Sequence, residues 1–374
     1  MFEYEAVEEQ LAKLVSRFSA RDYSFPRRSQ IVSSAQGWSE EVWHSLARLG
    51  LLAVNVPERC EGAGLGPFAT RAMMTCFGRC LLVEPYLSSA VVATSALNLV
   101  PRGAVGDSWL SRLGSGNAIA VLTHYETGSR FDLDVIETIA TRAGNGYRLR
   151  GRKIVGNGAG AANAWLVTAR LDDDIALFVI ERELYGLRLH ECRAYDGHRV
   201  GELVLDDALF PASALLHRDA LALVEHAIDL GIAALCAETA GVLDETNRRT
   251  LEYLKTRKQF GQPIGAFQAL QHLMVDMVIH QELTDSMSWL AARDVLSPDR
   301  AIRRRSLSAA KVVAARAARF VSQQAIQLHG GIGMTEDLEV SHYARRLTAI
   351  EREFGDVDHH VEEFSRMLDF ASVL

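Results

Sequence analysis

From about residue 220 to Thr256 the chain holds no proline and only two glycines, and small or apolar residues recur at Ala227, Leu230, Ala234, Ala237 and Gly241. That three-four alternation predicts one long helix with a single buried face, roughly 55 Å at 1.5 Å per residue. A second stripe, Leu270, Leu273, Met274 and Met277, starts a further helix at i, i+3, i+4, i+7. Between the two lies a corner running from Arg257 to Gln268, with Phe260, Gly261, Pro263 and Gly265 inside it. Corners between helices usually hold small or polar residues. An arginine and a phenylalanine there call for a chemical reason.

The period divides the rest of the chain into three. Residues 1–112 read as an N-terminal all-α domain, with Val42 and Leu46 inward on one of its helices. Over 113–214 the period falls to two. Ala118–Thr123, Ala164–Thr168 and Ile175–Ile180 are β-rich, and turn signals such as Gly144-Asn145-Gly146 separate the strands. No helices alternate with them, so an antiparallel β-barrel or sandwich follows and a Rossmann unit does not. Residues 215–374 return to the helical period as a C-terminal four-helix bundle. The fold class is therefore α+β.

Within that bundle, Ser297 before Pro298 reads as a helix start, and Arg303-Arg304-Arg305 as a solvated or subunit-facing charge run. The helix continues through Ala309, Val312, Val313, Ala317 and Phe320 to a Gly330-Gly331 cap. Asp206 and Asp207 are neighbours on a strand and point to opposite faces, so they read as a solvated turn rather than an acid–base pair.

Composition narrows the partners. The 374 residues carry a net charge of −7 and no long basic face, which argues against nucleic acid. No run of about 18 apolar residues exists, so no membrane insertion is expected. The acidic start, Met1 to Glu5, lacks the features of a signal or transit peptide. Five cysteines without metal-site spacing read as small buried hydrophobes in a reducing cytoplasm. No G-x-G-x-x-G follows a strand, so nicotinamide binding has no support.

The corner itself, Arg257-Lys258-Gln259-Phe260-Gly261-Gln262-Pro263-Ile264, resembles the fingerprint of flavin-dependent acyl-CoA dehydrogenases. A second motif of that family is matched about 70 residues on, at Gln327-Leu328-His329-Gly330-Gly331-Ile332-Gly333. The resemblance covers essentially the whole chain and is greatest to small subunits of pimeloyl-CoA dehydrogenases and similar partner subunits of two-chain members. It implies FAD as cofactor and an acyl-CoA as substrate. It also implies an electron-transfer flavoprotein as electron acceptor, a homologous partner subunit and a tetrameric assembly.

In the family the two motifs complete the cofactor site of a neighbouring subunit. The resemblance thus assigns Arg257, Phe260, Gln327, Gly330 and Gly331 to FAD. The chemistry agrees. A guanidinium fork suits a diphosphate, an aromatic face suits the adenosine half, and glycines allow close backbone approach where a Cβ would collide. On the β-domain the family's flavin-facing stretch aligns with Thr123-His124-Tyr125-Glu126-Thr127-Gly128-Ser129-Arg130. Thr123, Gly128 and Ser129 are retained there, and Thr123 and Ser129 are expected to face the flavin. The family's Glu-Pro pair and its Asp are gone, and the next flavin-facing strand reads Ile154-Val155-Gly156-Asn157.

The family removes a proton with a glutamate in one of two places. Here those places hold Phe354 and Gly231, so the catalytic residue is unknown from sequence. Three explanations stay open. A substitute such as Glu238, Glu351 or Glu353 serves as base, although Glu351 and Glu353 read as a solvated helix end. Or a partner chain carries the base. Or the protein is a non-catalytic structural partner. Finally, Ala309, Ala310, Ala314, Ala315, Ala317 and Ala318 exceed what one inward stripe needs, which predicts that helices 220–256 and 299–327 form a subunit interface.

Overall fold

A computed structural model describes residues 2–182 and 186–368, so residue 1 and residues 369–374 of the expected first and last domains lie outside it. The helices begin with α1 (Phe2–Asp22), α2 (Phe25–Ser33), α3 (Glu40–Arg48) and α4 (Pro67–Cys80). A π-helical turn at Tyr86–Ala93 leads into α5 (Thr94–Leu99), and α6 (Ala104–Gly114) follows. The strands are β1 (Ala120–Thr123), β2 (Ile139–Ala143), β3 (Gly146–Val155) and β4 (Ala164–Leu171). After them come β5 (Asp174–Glu181), β6 (Leu187–Arg193), β7 (Arg199–Pro211) and β8 (Leu215–His217). The chain then forms α7 (Leu221–Thr256), a two-rung hairpin of β9 (Lys258–Gln259) and β10 (Gln262–Pro263), and α8 (Gln268–Asp294). It closes with α9 (Arg300–His329), α10 (Glu339–Ile350) and α11 (Val357–Arg366).

Two compact units result. One comprises residues 1–28, 67–82 and 232–374, and the other residues 29–66 and 83–231. In the second unit the strands form one sheet in the order β6-β7-β3-β2-β4-β5-β8, with β1 added to β4. Most pairs are antiparallel as expected, but β1 and β2 both run parallel to β4. The alternation Tyr147, Leu149, Val155 on β3 and Trp165, Val167, Ala169 on β4 fills its apolar core. Asp206 and Asp207 are exposed and pair with Arg188 and Arg148. Asp207 has φ 55°, beside a register shift between β3 and β7. They belong to a bulged strand, not a turn.

In the other unit, glycine sets the helix packing. A Cβ on Gly241 would strike the Thr75 carbonyl, and one on Gly78 the Glu238 carbonyl. The backbones of α4 and α7 therefore meet without side chains between them. A chain of hydrogen bonds adds specificity beside that contact. Arg79 reaches Asp244, Gln281 donates to Asp244, and Asn247 donates to Gln281 and the Met277 carbonyl.

Four expectations need correction here. The α9 start is capped by Asp299, whose carboxylate accepts from the Ala301 and Ile302 N–H groups, rather than by Ser297. Arg303 and Arg304 are buried, and Arg304 pairs with Glu363 on α11 at 2.8 Å. The alanines of α9 are consumed within the chain, with Ala310, Ala314, Ala315, Ala317 and Ala318 all fully buried. The helices α8, α10 and α11 all pack on α9 and claim those faces, which a single stripe could not foretell. The exposed apolar face is on α8 instead, at Val275, Ile279 and Leu283. The five cysteines are free, and Cys192 is exposed rather than buried.

Burial holds two histidines neutral. His124 is pushed down to about 3, by burial first and by Lys153 second. His360 is pushed down to about 2, again chiefly by burial. The unfolded chain therefore binds more protons than the folded one below about pH 6.5, so stability falls as pH falls. Each histidine should remove about 1 kcal/mol between pH 6.5 and 5.5. Denaturant titrations at the two pH values measure this, and unchanged stability would contradict it.

Candidate functional site

The corner after α7 is a strained turn. Phe260 and Gly261 have φ 54° and 81°, between the paired rungs Lys258–Pro263 and Gln259–Gln262. Two successive left-handed residues are the signature of the hairpin turn that normally takes Asn-Gly. A phenylalanine in that conformation costs on the order of 1 kcal/mol, and here its ring is 89% exposed. Its ring meets Phe267 edge-on, centroids 6.1 Å apart, and burial does not explain the strain.

The root of the turn is rigid. The Arg257 N–H donates to the Tyr253 carbonyl, and the Ile264 N–H to the Arg257 carbonyl. Gly265 sits against the Leu254 carbonyl, where a Cβ would collide. Arg257 itself is exposed, and its guanidinium makes no hydrogen bond or ion pair among the described residues.

The second motif ends α9. Gly330 has φ 67° and ψ −150°, a backbone only glycine adopts easily. A Cβ on Gly330 or Gly331 would meet nothing within 4 Å. The expected collision is therefore absent within this chain, and the two glycines leave an open surface. Gln327 is exposed, and its amide has no hydrogen bond among the described residues. It borders a hollow of about 430 Å³ that Ile326, Met334 and Thr348 also line.

The two motifs meet through Tyr253, which neither motif names, and His329 of the second motif. Tyr253 stacks on His329 with ring centroids 4.4 Å apart and planes at 28°. The Tyr253 hydroxyl donates to the His329 carbonyl at 3.4 Å. So Arg257, Phe260, Gln327, Gly330 and Gly331 are carried by two helix ends joined at one aromatic pair.

The β-domain stretch is built differently. Thr123 is fully buried, and its hydroxyl donates to the Leu166 carbonyl. Ser129 is buried too, and its hydroxyl bonds the Glu126 N–H and carbonyl. Both hydroxyls are thus engaged inside the fold. Beneath them is an ionic cluster that the sequence reading missed. Lys153, 0% exposed, donates to Glu126 at 2.6 Å, to the Thr168 hydroxyl at 3.1 Å and to the His124 carbonyl at 3.2 Å. Glu126 also accepts the N–H groups of Glu137 and Thr138. Burial lowers the Lys153 ammonium to about 8, against the pull of Glu126. Burial alone would raise the Glu126 carboxyl, yet Lys153 brings it below the usual range.

The glutamates considered as substitute bases, and Phe354, are accounted for. Glu238 is buried and grips Arg346 with both oxygens, at 2.6 and 3.0 Å. Arg346 also reaches Glu353 at 3.1 Å. Glu351 is buried against Arg319 rather than solvated at a helix end. Phe354 has φ 57° in a turn that Lys311 and His360 hold. Lys311 is fully buried and donates to the carbonyls of Ile350, Glu351 and Gly355. His360 Nε2 lies 3.0 Å from the Phe354 carbonyl. The turn is ordered without a carboxylate at its centre.

Three family descriptions match along the chain: acyl-CoA dehydrogenase N-terminal domain at residues 5–117, middle domain at 121–208 and C-terminal domain at 221–364. The acyl-CoA dehydrogenase FadE27 of Mycobacterium tuberculosis is 30% identical over 332 residues, which is 86% of this chain and 85% of that one. The short-chain specific acyl-CoA dehydrogenase of Bos taurus mitochondria is 26% identical over 368 residues, 93% of this chain and 88% of that one. Among solved structures, a variant of the Tcur3481–Tcur3483 steroid ACAD has a TM-score of 0.90 and 25% identity, covering 99% of this chain and 100% of that one. The ChsE4–ChsE5 complex from Mycobacterium tuberculosis has a TM-score of 0.86 and 25% identity, covering 96% of each chain.

If the Phe260 strain is kept for binding, relieving it should stabilise the free chain. Phe260→Asn should raise unfolding free energy by about 1 kcal/mol. Arg346→Met should lower it by roughly 3–5 kcal/mol, since it strands the buried Glu238 charge. Denaturant midpoints test both. A destabilised Phe260→Asn would show that the ring is held by contacts after all.

Proposed function

Because the chain belongs to the acyl-CoA dehydrogenase family, we propose that it works as one subunit of a two-chain enzyme. The enzyme desaturates an acyl-CoA thioester, and the other chain carries the base. FAD is the cofactor of this family, and the corner chemistry fits it. An uncommitted guanidinium, an exposed strained phenylalanine, an open pair of glycines and a free amide suit a ligand with a diphosphate and flat rings. Bound there, FAD would take up the hydride released from the carbon β to the thioester. Arg257 would neutralise the diphosphate and Phe260 would cover the adenosine half. Gln327, with Gly330 and Gly331, would offer an amide and close backbone contact.

The observation that carries the two-chain reading is an asymmetry. The groups that project outward are poised and unpaired, while the carboxylates that would make the chain self-sufficient are committed. Moving Glu238 toward a substrate carbon would take from buried Arg346 the carboxylate that grips it with both oxygens, at a cost of roughly 3–5 kcal/mol. A general base must instead stand within hydrogen-bond reach of its proton. Phe354 offers no proton acceptor. The two-name complexes among the similar structures agree with this reading. The exposed apolar face of α8 suits packing against another chain. Electrons would leave through an electron-transfer flavoprotein, the acceptor that the resemblance implies.

Two outcomes test the proposal. The isolated chain should turn over acyl-CoA substrates at least 10²-fold more slowly than its complex with a base-bearing homologue, the usual cost of a missing general base. The panel should include a sterol side-chain thioester, since one similar structure is of a steroid ACAD. Ordinary turnover by the isolated chain would overturn the two-chain reading. In the complex, Arg257→Ala should cut bound flavin, read as absorbance near 450 nm, without shifting the thermal midpoint. Undiminished flavin would remove Arg257 from the site.

A further inference from the structure

We propose that Tyr253 is a positioning residue that locks the two cofactor-contacting segments to each other. The inference rests on the reading that Arg257 and Gln327 serve FAD. Tyr253 lies one turn before Arg257 on α7 and is half-buried. Its ring stacks on His329, which immediately precedes Gly330. Its hydroxyl donates to the His329 carbonyl, and its own carbonyl accepts the Arg257 N–H. One residue therefore touches both segments.

The partner ring is itself fixed. His329 is 6% exposed, and its Nδ1 lies 2.8 Å from the Ala325 carbonyl, so Nδ1 carries the hydrogen. Burial lowers its basicity and keeps the ring neutral. A neutral, hydrogen-bonded ring cannot rotate away without losing a buried bond. The hairpin beyond Arg257 has its root on the same last turn of α7, through the Ile264 N–H and the contact of Gly265 with the Leu254 carbonyl. Displacing Tyr253 would thus shift Arg257 relative to the Gly330 turn. The Arg257 guanidinium gains nothing else to orient it among the described residues. Its placement depends on this root.

The test is a double-mutant cycle on FAD affinity, by fluorescence titration of the flavin-stripped complex of the full chain with its partner subunit. Tyr253→Leu should weaken FAD roughly three- to tenfold, the factor an aromatic pair carries. Tyr253→Phe keeps the stack and should rescue to within about twofold. If Tyr253 acts through Arg257, the Tyr253→Leu/Arg257→Ala double variant should bind no worse than Arg257→Ala alone. Losses that multiply would reduce Tyr253 to a general stabiliser and overturn the proposal, as would an unchanged affinity in Tyr253→Leu. Should Tyr253→Leu not fold, His329→Ala removes the same stack from α9 and takes its place in the cycle. If Arg257→Ala leaves FAD binding intact, the failure lies in the functional reading, and the lock falls with it.

Discussion

The unit that carries the corner depends on one close approach, where Gly78 of α4 and Gly241 of α7 let two helix backbones touch. A methyl group at either place would push the helices apart. That contact fixes the axis of α7, and everything useful on α7 follows from the axis. Glu238 lands against Arg346, Asn247 against α8, and Tyr253 against the end of α9. Arg257 and Phe260 stand just past the C-terminal end of α7, a helix of 36 residues.

Rigidity at that end explains how strain survives there. A left-handed Phe260 would relax if the turn were loose, but the rungs of the hairpin and the Gly265 contact hold it. The same logic recurs at Phe354, held left-handed by Lys311 and His360. The two differ in what they present. Phe260 projects almost wholly into solvent beside an arginine with no ion pair among the described residues, whereas the Phe354 turn closes on buried Lys311 and His360. Strain maintained by surrounding structure points to use, and at the corner the unpaired groups name the use.

The fold was legible because its periods are long. A proline-free 36-residue stripe and a switch from period 3.6 to period 2 near residue 115 leave little freedom of class. Single faces were harder. Lys311 and Arg304 sit inside α9, a placement that charge alone argues against, and only their carbonyl and carboxylate partners on α10 and α11 make it tolerable. Those partners come from segments 39 and 59 residues away, beyond any window of periodicity. The motif residues could be read because their types are odd for a helix corner. Tyr253 and the Glu126–Lys153 cluster could not, because each looks ordinary until the chain folds, and His329, though inside the second motif, shows its stack on Tyr253 only in the fold. Glu126 stands three residues from Thr123, where the resemblance had registered only a missing Glu-Pro pair, yet it anchors the whole loop to Thr138.

The central claim is that this chain lends its corner to a flavin seated mainly on another chain. Flavin stoichiometry in the purified two-chain complex measures it most directly, by absorbance near 450 nm against quantified subunits. One FAD for each pair of unlike chains is the predicted result, with none retained by this chain alone. One FAD per chain, or a flavin-saturated assembly of this chain by itself, would contradict the account.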